Sequence, residues 1–213
     1  KKLTEKWFGL IPSGVKEKRN LLLEPPQTKK KVEEVEAKVP AHAIYKTWHM
    51  CGRFDSDYYA TDFLSDILSR GHSSRLYQTL VQEREIFSSI SSFVMGTVDP
   101  GLFVVSGRVR EGIDLKAAEK EIDQVLQKVV KEGVTEMELE KVKNQAEASL
   151  QFGEVEVLNR AMNLAFASLS GDPGLVNREA QLMERISAAD LQRVASSILR
   201  EENASVLYYH SIK

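Results

Sequence analysis

Residues 62–85, DFLSDILSRGHSSRLYQTLVQERE, contain two helical patterns separated by a glycine. The apolar residues of the first pattern share one face at helical spacing: Phe63, Leu64, Ile67 and Leu68. This spacing predicts an amphipathic helix over residues 57–70. Gly71 then favours a helix end, and a second helix is expected over residues 75–85.

Polar residues occupy the adjoining face of the first predicted helix. Asp62, Ser65 and Asp66 stand at i, i+3 and i+4, so their side chains are neighbours on the helix surface. Such a cluster could hold a metal ion or perform acid–base chemistry. We interpret it as the solvated back of an ordinary helix, with a residual polar or cation-binding role as the alternative, because two carboxylates without a third ligand hold a hard cation weakly.

The composition describes a globular protein without a strong charge bias. The chain has 213 residues, of which 42% are hydrophobic and 28% are charged, and its formal net charge is −2. That charge gives no basic field for a phosphate backbone, so we expect no nucleic-acid partner. No apolar run approaches the length of about 20 residues that spans a bilayer, so we expect a soluble protein with no membrane segment.

The first 30 residues differ from the rest of the chain. Residues 1–8 predict a short helix that stops at a Gly/Pro turn, and residues 15–30 predict a linker in which LLLEPP is unusually apolar. There is no initiator Met and no signal-peptide pattern, so we interpret the chain as an excised piece, and a periplasmic and a cytoplasmic parent both stay open. Cys51 is the single cysteine, which excludes an internal disulfide and a thiolate zinc site.

The remaining patterns predict an α+β fold with a mainly antiparallel sheet of about five or six strands, covered on one face by about six helices. The predicted strands are residues 31–39, 43–51, 87–97, 102–111 and 204–212. The predicted later helices are residues 115–132, 135–150, 154–170, 174–186 and 187–199. Residues 154–170 are strongly apolar, so we expect that helix to be well buried. A capping box of Thr135 and Glu138 starts the helix at residue 135.

These pieces, in this order, resemble one half of an insulinase-type zinc peptidase, the group that includes pitrilysin and the mitochondrial processing peptidases. EKWFGLIPSG resembles the end of one half-domain in that family, and the stretch from residue 62 to residue 92 resembles its long helix, break and second helix. DPGLFVVSGRVREGIDLKAAEKEI resembles its central strand and following helix. The resemblance implies that residues 1–30 end a preceding half-domain and its linker, and that residues 31–213 form one half-domain.

The resemblance also implies which half this is. The catalytic half carries His-x-x-Glu-His on the first long helix, where two imidazoles bind zinc and the glutamate activates its water. Asp62, Ser65 and Asp66 stand at the positions of the first His, the Glu and the second His. The chain therefore resembles the non-metal-binding C-terminal half, with no catalytic residue and no metal of its own, and zinc is expected in the partner half.

The family's second half often supplies an Arg and a Tyr that hydrogen-bond the substrate. In the register we favour, those positions fall on Phe103 and Asp114, so the pair is not matched. Arg108 and Arg110 lie on the same predicted strand and are candidates for substrate binding. The alternative is that they are two exposed charges at the end of a strand.

Three functions follow as hypotheses. The first is a non-catalytic domain of a zinc metallopeptidase that encloses extended peptide against a zinc-bearing half, either in the same chain or in a paired subunit. The second is an inactive scaffold or peptide-binding subunit. The third is an independent enzyme that uses Asp62, Asp66 and His72. A soft-metal site at His49 and Cys51, which share one strand face, would lack further ligands.

Overall fold

The computed structural model describes residues 1–15, 22 and 24–212. Its described strands form one sheet in the order β1-β5-β2-β4-β3. The strands are β1 (Lys31–Ala37), β2 (Ala43–His49), β3 (Phe87–Met95), β4 (Leu102–Val109) and β5 (Ala204–Ser211). The pairing of β1 with β5 is parallel, and the other pairings are antiparallel. The prediction of a mainly antiparallel sheet in an α+β fold is confirmed.

The helices appear close to their predicted positions. They are α1 (Lys2–Phe8), α2 (Tyr58–Ser69), α3 (Leu115–Glu132), α4 (Glu136–Gly153), α5 (Val157–Leu169), α6 (Glu179–Glu184) and α7 (Ala188–Ile198). The helix expected over residues 75–85 is instead a π-helix over Tyr77–Glu83. Residues 174–186 divide into a 3-10 turn, Pro173–Asn177, and α6. None of the described helices combines the length and the apolar content that a bilayer crossing requires.

The capping signals in the sequence mark true helix starts. Both halves of the capping box form at Thr135 and Glu138, at the start of α4. The same reciprocal pair forms at Ser187 and Asp190, at the start of α7. Each box satisfies backbone amide groups that have no partner inside the helix. Both capping signals lie within four residues of sequence, so the sequence identifies these two helix starts, and at α4 Arg75 also binds the Glu138 carboxylate.

The core lies between one face of the sheet and the helices. In β2, Ile44, Lys46 and Trp48 are buried, whereas Tyr45 is 44% exposed and its neighbours on the same face are half-buried. This alternation follows from the two-residue period of a strand. We call the side of the sheet that carries Tyr45 the open face, because its residues are the less buried ones in β2, and the other side the covered face.

Helix α5 contradicts the prediction that it is well buried. Ala167 is its one buried residue, and Leu158, Met162 and Leu169 are 69%, 63% and 87% exposed. Its contacts include the 3-10 turn and a ring contact between Phe166 and Phe54, with centroids 5.8 Å apart. An apolar composition indicates that a helix has a surface that burial would stabilise, but it does not show that another part of the same chain packs against that surface.

The segment before β1 lies against β5 and α3. The Gln27 side chain donates a hydrogen bond to the Ala204 carbonyl (2.7 Å) and accepts one from the Ser205 hydroxyl (3.0 Å). Lys30 Nζ lies 2.8 Å from Glu119 Oε1. In the apolar stretch LLLEPP, Leu22 is 95% exposed, and its neighbours Leu21 and Leu23 lie outside the described residues.

Candidate functional site

Helix α2 places the three polar residues of the opening motif in an environment that is not fully solvated. Ser65 is only 2% exposed, and its hydroxyl donates a hydrogen bond to the Asp62 carbonyl at 2.8 Å. Asp62 and Asp66 are half-buried. The interpretation of this face as a solvated helix back is therefore wrong for Ser65, because a helix that packs against the sheet and other helices has little surface left for water.

The two carboxylates on this face have different surroundings. Asp66 accepts a hydrogen bond from Arg70 at 2.7 Å. The Asp62 carboxylate has no side-chain or backbone donor among the described residues. Burial, followed by the negative charge of Asp66, raises the pKa of Asp62 to about 6. The ionised form of Asp62 is therefore the member of the cluster that destabilises the fold.

A polar contact ties helix α6 to the start of α2. Tyr59 donates its hydroxyl hydrogen to Glu179 Oε1 at 3.0 Å, and the Arg53 guanidinium lies 3.5 Å from the same oxygen. Arg53 also donates to the Tyr58 hydroxyl at 2.8 Å. The polar face of α2 thus lies beside α6 and Arg53.

The residues of α2 do not fit a zinc ion. Zinc is held by imidazole, thiolate and carboxylate ligands, usually three or four together. Asp62, Ser65 and Asp66 supply neither an imidazole nor a thiolate. Within residues 1–15, 22 and 24–212, no group of three or more His, Cys, Asp or Glu residues could hold a metal.

The other candidate residues from the sequence do not gather into a site. Cys51 Sγ lies 3.9 Å from the Thr61 hydroxyl, and burial raises the pKa of the Cys51 thiol. His49 Nε2 lies 3.8 Å from Glu24. The His72 ring packs against Tyr77, with centroids 4.7 Å apart. These contacts are those of ordinary surface and half-buried side chains.

Arg108, near the end of β4, and Arg110, just after it, lie in different surroundings. Arg108 lies on the open face and lines a cavity of about 680 Å³. Arg110 follows the end of β4, and its guanidinium lies 3.7 Å from Glu85. That both arginines contact substrate therefore stays a prediction; Arg108 lines the cavity, whereas Arg110 has an internal partner outside it.

The positions of the family's Arg/Tyr pair have structural roles here. Phe103 is fully buried in the core, and its ring contacts Trp48. Asp114 precedes α3, and its carboxylate accepts a hydrogen bond from the Ala117 amide at 2.9 Å. In the register we favour, both positions are therefore occupied by residues that hold the fold.

The open face contributes residues that the sequence analysis did not single out. Tyr45 on β2 and Tyr209 on β5 line the same cavity as Arg108. Alternation within each strand could have placed each tyrosine on a face. It could not have brought them together, because that requires the strand order, in which β2 lies between β5 and β4.

The fold and the site define a class: an α+β domain in which the helix positions that resemble a zinc motif carry no zinc ligands. A family profile described as the peptidase M16 inactive domain matches residues 1–146, and the chain belongs to that family. The resemblance predicted from the sequence is confirmed.

Similar proteins agree with this assignment. The zinc protease PqqE from Helicobacter pylori is 26% identical over 159 residues, which cover 71% of this chain and 34% of the relative. The structure of a protease from Helicobacter pylori has a TM-score of 0.90 at 23% identity, over 98% of this chain and 51% of that one. The chain therefore spans between a third and about half of the length of these relatives.

A shorter solved structure matches along nearly its whole length. It is the inactive peptidase domain of a protein from Bordetella parapertussis, with a TM-score of 0.75 at 22% identity. The match covers 83% of this chain and 97% of that one. At these identities, the likeness to the solved structures supports the fold alone.

Proposed function

We propose that this chain is the non-catalytic half of a zinc metallopeptidase and that its open face borders a chamber shared with a zinc-bearing half. The observation that carries the proposal is the exposure of that face. Tyr45, Phe93 and Met95 lie there with 44%, 43% and 52% of their surface exposed, although such side chains are usually covered. A chamber between two half-domains would cover them while leaving room for an extended peptide.

The proposal includes the division of the chain. Residues 1–30 would be the end of a preceding half-domain and its linker, and residues 31–213 the half-domain itself. In support, α1 has no buried residue, whereas Gln27 and Lys30 make specific contacts with the later part of the chain. The linker would thus set the position of the preceding half through contacts that this chain supplies.

Zinc would come from the partner half, within the same chain or in a paired subunit. The positions on α2 lack the ligands, so hydrolysis requires a second set of residues. The contribution of this half would be to exclude large folded substrates and to hold an extended peptide.

The test compares the isolated chain with the full-length parent on quenched-fluorescent unstructured peptides, each with zinc and with a chelator. We expect cleavage by the parent with zinc and none by the isolated chain. A photo-crosslinking peptide should label the open face, including Tyr45, and not exposed positions of the helical layer such as Lys128. Zinc-dependent cleavage by the isolated chain would contradict the proposal, as would labelling confined to the helices.

The second candidate is an inactive scaffold or peptide-binding subunit. The observation that favours it is the occupation of the expected Arg/Tyr positions by Phe103 and Asp114, which serve the core and a helix start. A parent that binds peptides but does not cleave them with zinc would support this candidate. A His-x-x-Glu-His motif upstream in the parent would favour the peptidase.

A further inference from the structure

The cavity at Arg108 is a notch formed by the side-chain pattern of three adjacent strands. Tyr209 on β5 and Arg108 on β4 both pair with Ala43 on β2, so the smallest of the three side chains lies between the other two. Since neighbouring strands lie about 4.8 Å apart, the two large side chains stand roughly 10 Å apart at the backbone. Tyr45, the next residue on the same face of β2, closes one side of the notch.

Both apolar and polar residues line the notch. Val39, Pro40 and Leu207 contribute apolar surface. Ser88 lies at the bulge of β3, and its hydroxyl donates to the Arg108 carbonyl at 3.2 Å. The backbone of Arg108 is therefore held by the sheet and by this serine, while its side chain extends into a space of about 680 Å³.

Among the described residues that line the notch, Arg108 is the one that carries a charge. In the described part of the chain, its guanidinium has no hydrogen-bond or ion-pair partner, whereas Glu85, which lies at this end of the sheet, pairs with Arg110 at 3.7 Å. On the open face, Glu33 on β1 lies three strands away in the sheet order. An arginine beside aromatic and apolar walls, without a carboxylate, is complementary to one anionic group.

The shape of the surface favours binding of a side chain within a peptide over binding of the carboxylate at the end of a peptide. A second cavity shares Ala43, Tyr45 and Arg108 with the notch and continues over Ser89, Ser91 and Ser106. Arg108 thus lies where the two cavities meet, so an extended chain that occupies both would pass over it. A polyanion is disfavoured because one arginine on a chain of net charge −2 gives no basic track.

We propose that this notch binds an acidic side chain, Asp or Glu, of an extended peptide that lies along the open face. Arg108 receives the carboxylate through a forked hydrogen bond, and Tyr45 and Tyr209 pack against the methylene groups beside it. The inference rests on the proposed function, because it assumes that peptide reaches this face, and it adds the class of residue that the face prefers.

The experiment measures binding of fluorescein-labelled unstructured peptides to the chain by fluorescence anisotropy. The peptides differ only in one central residue, which is Glu, Gln or Lys. We expect the Glu peptide to bind about tenfold more tightly than the Gln peptide, which is the order of a partly exposed charge-assisted pair, and the Lys peptide to bind most weakly. Arg108→Gln should remove the difference between Glu and Gln.

Arg200→Gln is the matched control, because it removes an exposed arginine outside the notch that already has a partner, Glu202, at 3.0 Å. It should leave the preference for Glu unchanged, and thermal melts should show that both variants fold. Equal binding of the Glu and Gln peptides overturns the inference while leaving peptide binding intact. Binding of none of the peptides overturns both this inference and the peptide-binding part of the proposed function. A preference that survives Arg108→Gln also overturns the inference.

Discussion

A buried ionic cluster under the covered face gives the sharpest test of what stabilises this fold. Glu119 on α3 is 5% exposed and contacts Lys46 of β2 at 2.6 Å and Lys30 at 2.8 Å. The Tyr208 hydroxyl donates to its other oxygen. We consider the replacement Glu119→Gln, which keeps the shape of the side chain and removes its charge.

The structure gives the size of the expected effect. Burial alone would raise the pKa of Glu119, but hydrogen bonds from Lys30, Lys46 and Tyr208 outweigh it and hold the pKa at about 2, against an ordinary value of 4.5. That difference corresponds to about 3 kcal/mol of stability from the charged form at neutral pH. Lys46 keeps Asp123 at 2.6 Å, so it is not left as an isolated buried charge.

The pH dependence follows from the sign of the shift. Because the folded pKa lies below the unfolded one, the contribution is complete above about pH 4.5 and is lost as the pH falls towards 2. Urea denaturation should therefore show that Glu119→Gln costs about 3 kcal/mol at pH 7 and about 2 kcal/mol at pH 3.5. Glu202→Gln, which removes an exposed pair with Arg200, is the control and should cause no measurable change. A loss that is the same at both pH values would refute the electrostatic explanation.

Three other changes have defined outcomes. Asp62→Asn should stabilise the fold by about 3 kcal/mol at pH 7.5 in urea denaturation but by only about 0.5 kcal/mol near pH 4, because the raised pKa of Asp62 penalises its charge at higher pH. Equal effects at both pH values would contradict this. Gly107→Ala should lower the free energy of unfolding in urea denaturation by about 1–3 kcal/mol, since the new Cβ would lie 2.6 Å from the buried Phe87 ring. Gly153→Ala is the control and should cost almost nothing, because a Cβ there would have nothing within 4 Å. Similar losses in both variants would refute the steric argument. Leu158→Glu should reduce concentration-dependent self-association in sedimentation velocity without lowering the melting temperature, because Leu158 is 69% exposed, and unchanged association would exclude the α5 surface.

Most elements of the fold could be predicted because their signals are local. The alternation in β2, the apolar stripe of α3 and the capping boxes at Thr135 and Ser187 each depend on residues within a few positions of one another. Such patterns specify where an element begins and which side is apolar. They predicted the α+β class, which the structure confirms, and about five or six strands, of which the described residues form five.

The errors concern properties that depend on distant parts of the chain. The apolar composition of α5 predicted burial, but burial requires a neighbouring element, and Ala167 is its one buried residue. The position of Ser65 in the sequence could not show that this residue is buried, because its burial depends on how α2 packs against other elements. The π-helix over Tyr77–Glu83 was predicted as an ordinary helix, because the two differ in their backbone hydrogen bonds, which the order of residue types does not reveal.

The candidate site was predicted only in part for the same reason. Arg108 was found from its strand, but the notch also needs Ala43 and Tyr209, which lie 65 residues before it and about 100 residues after it in the chain. Their meeting is a property of the strand order β5-β2-β4. A single sequence contains no local pattern that specifies which strands become neighbours.

Lys46 and Arg108 illustrate how the two faces of one sheet assign different roles to similar charges. Lys46 lies on the covered face, where an unpaired cation would cost several kcal/mol, and Glu119 and Asp123 both lie 2.6 Å from it. Arg108 lies on the open face of the neighbouring strand, where water solvates its charge and no internal partner is required for folding. A cation that folding does not neutralise can give up water for an external carboxylate at little cost to stability. This asymmetry makes Arg108, rather than Lys46, the residue at which peptide preference can change without loss of the fold.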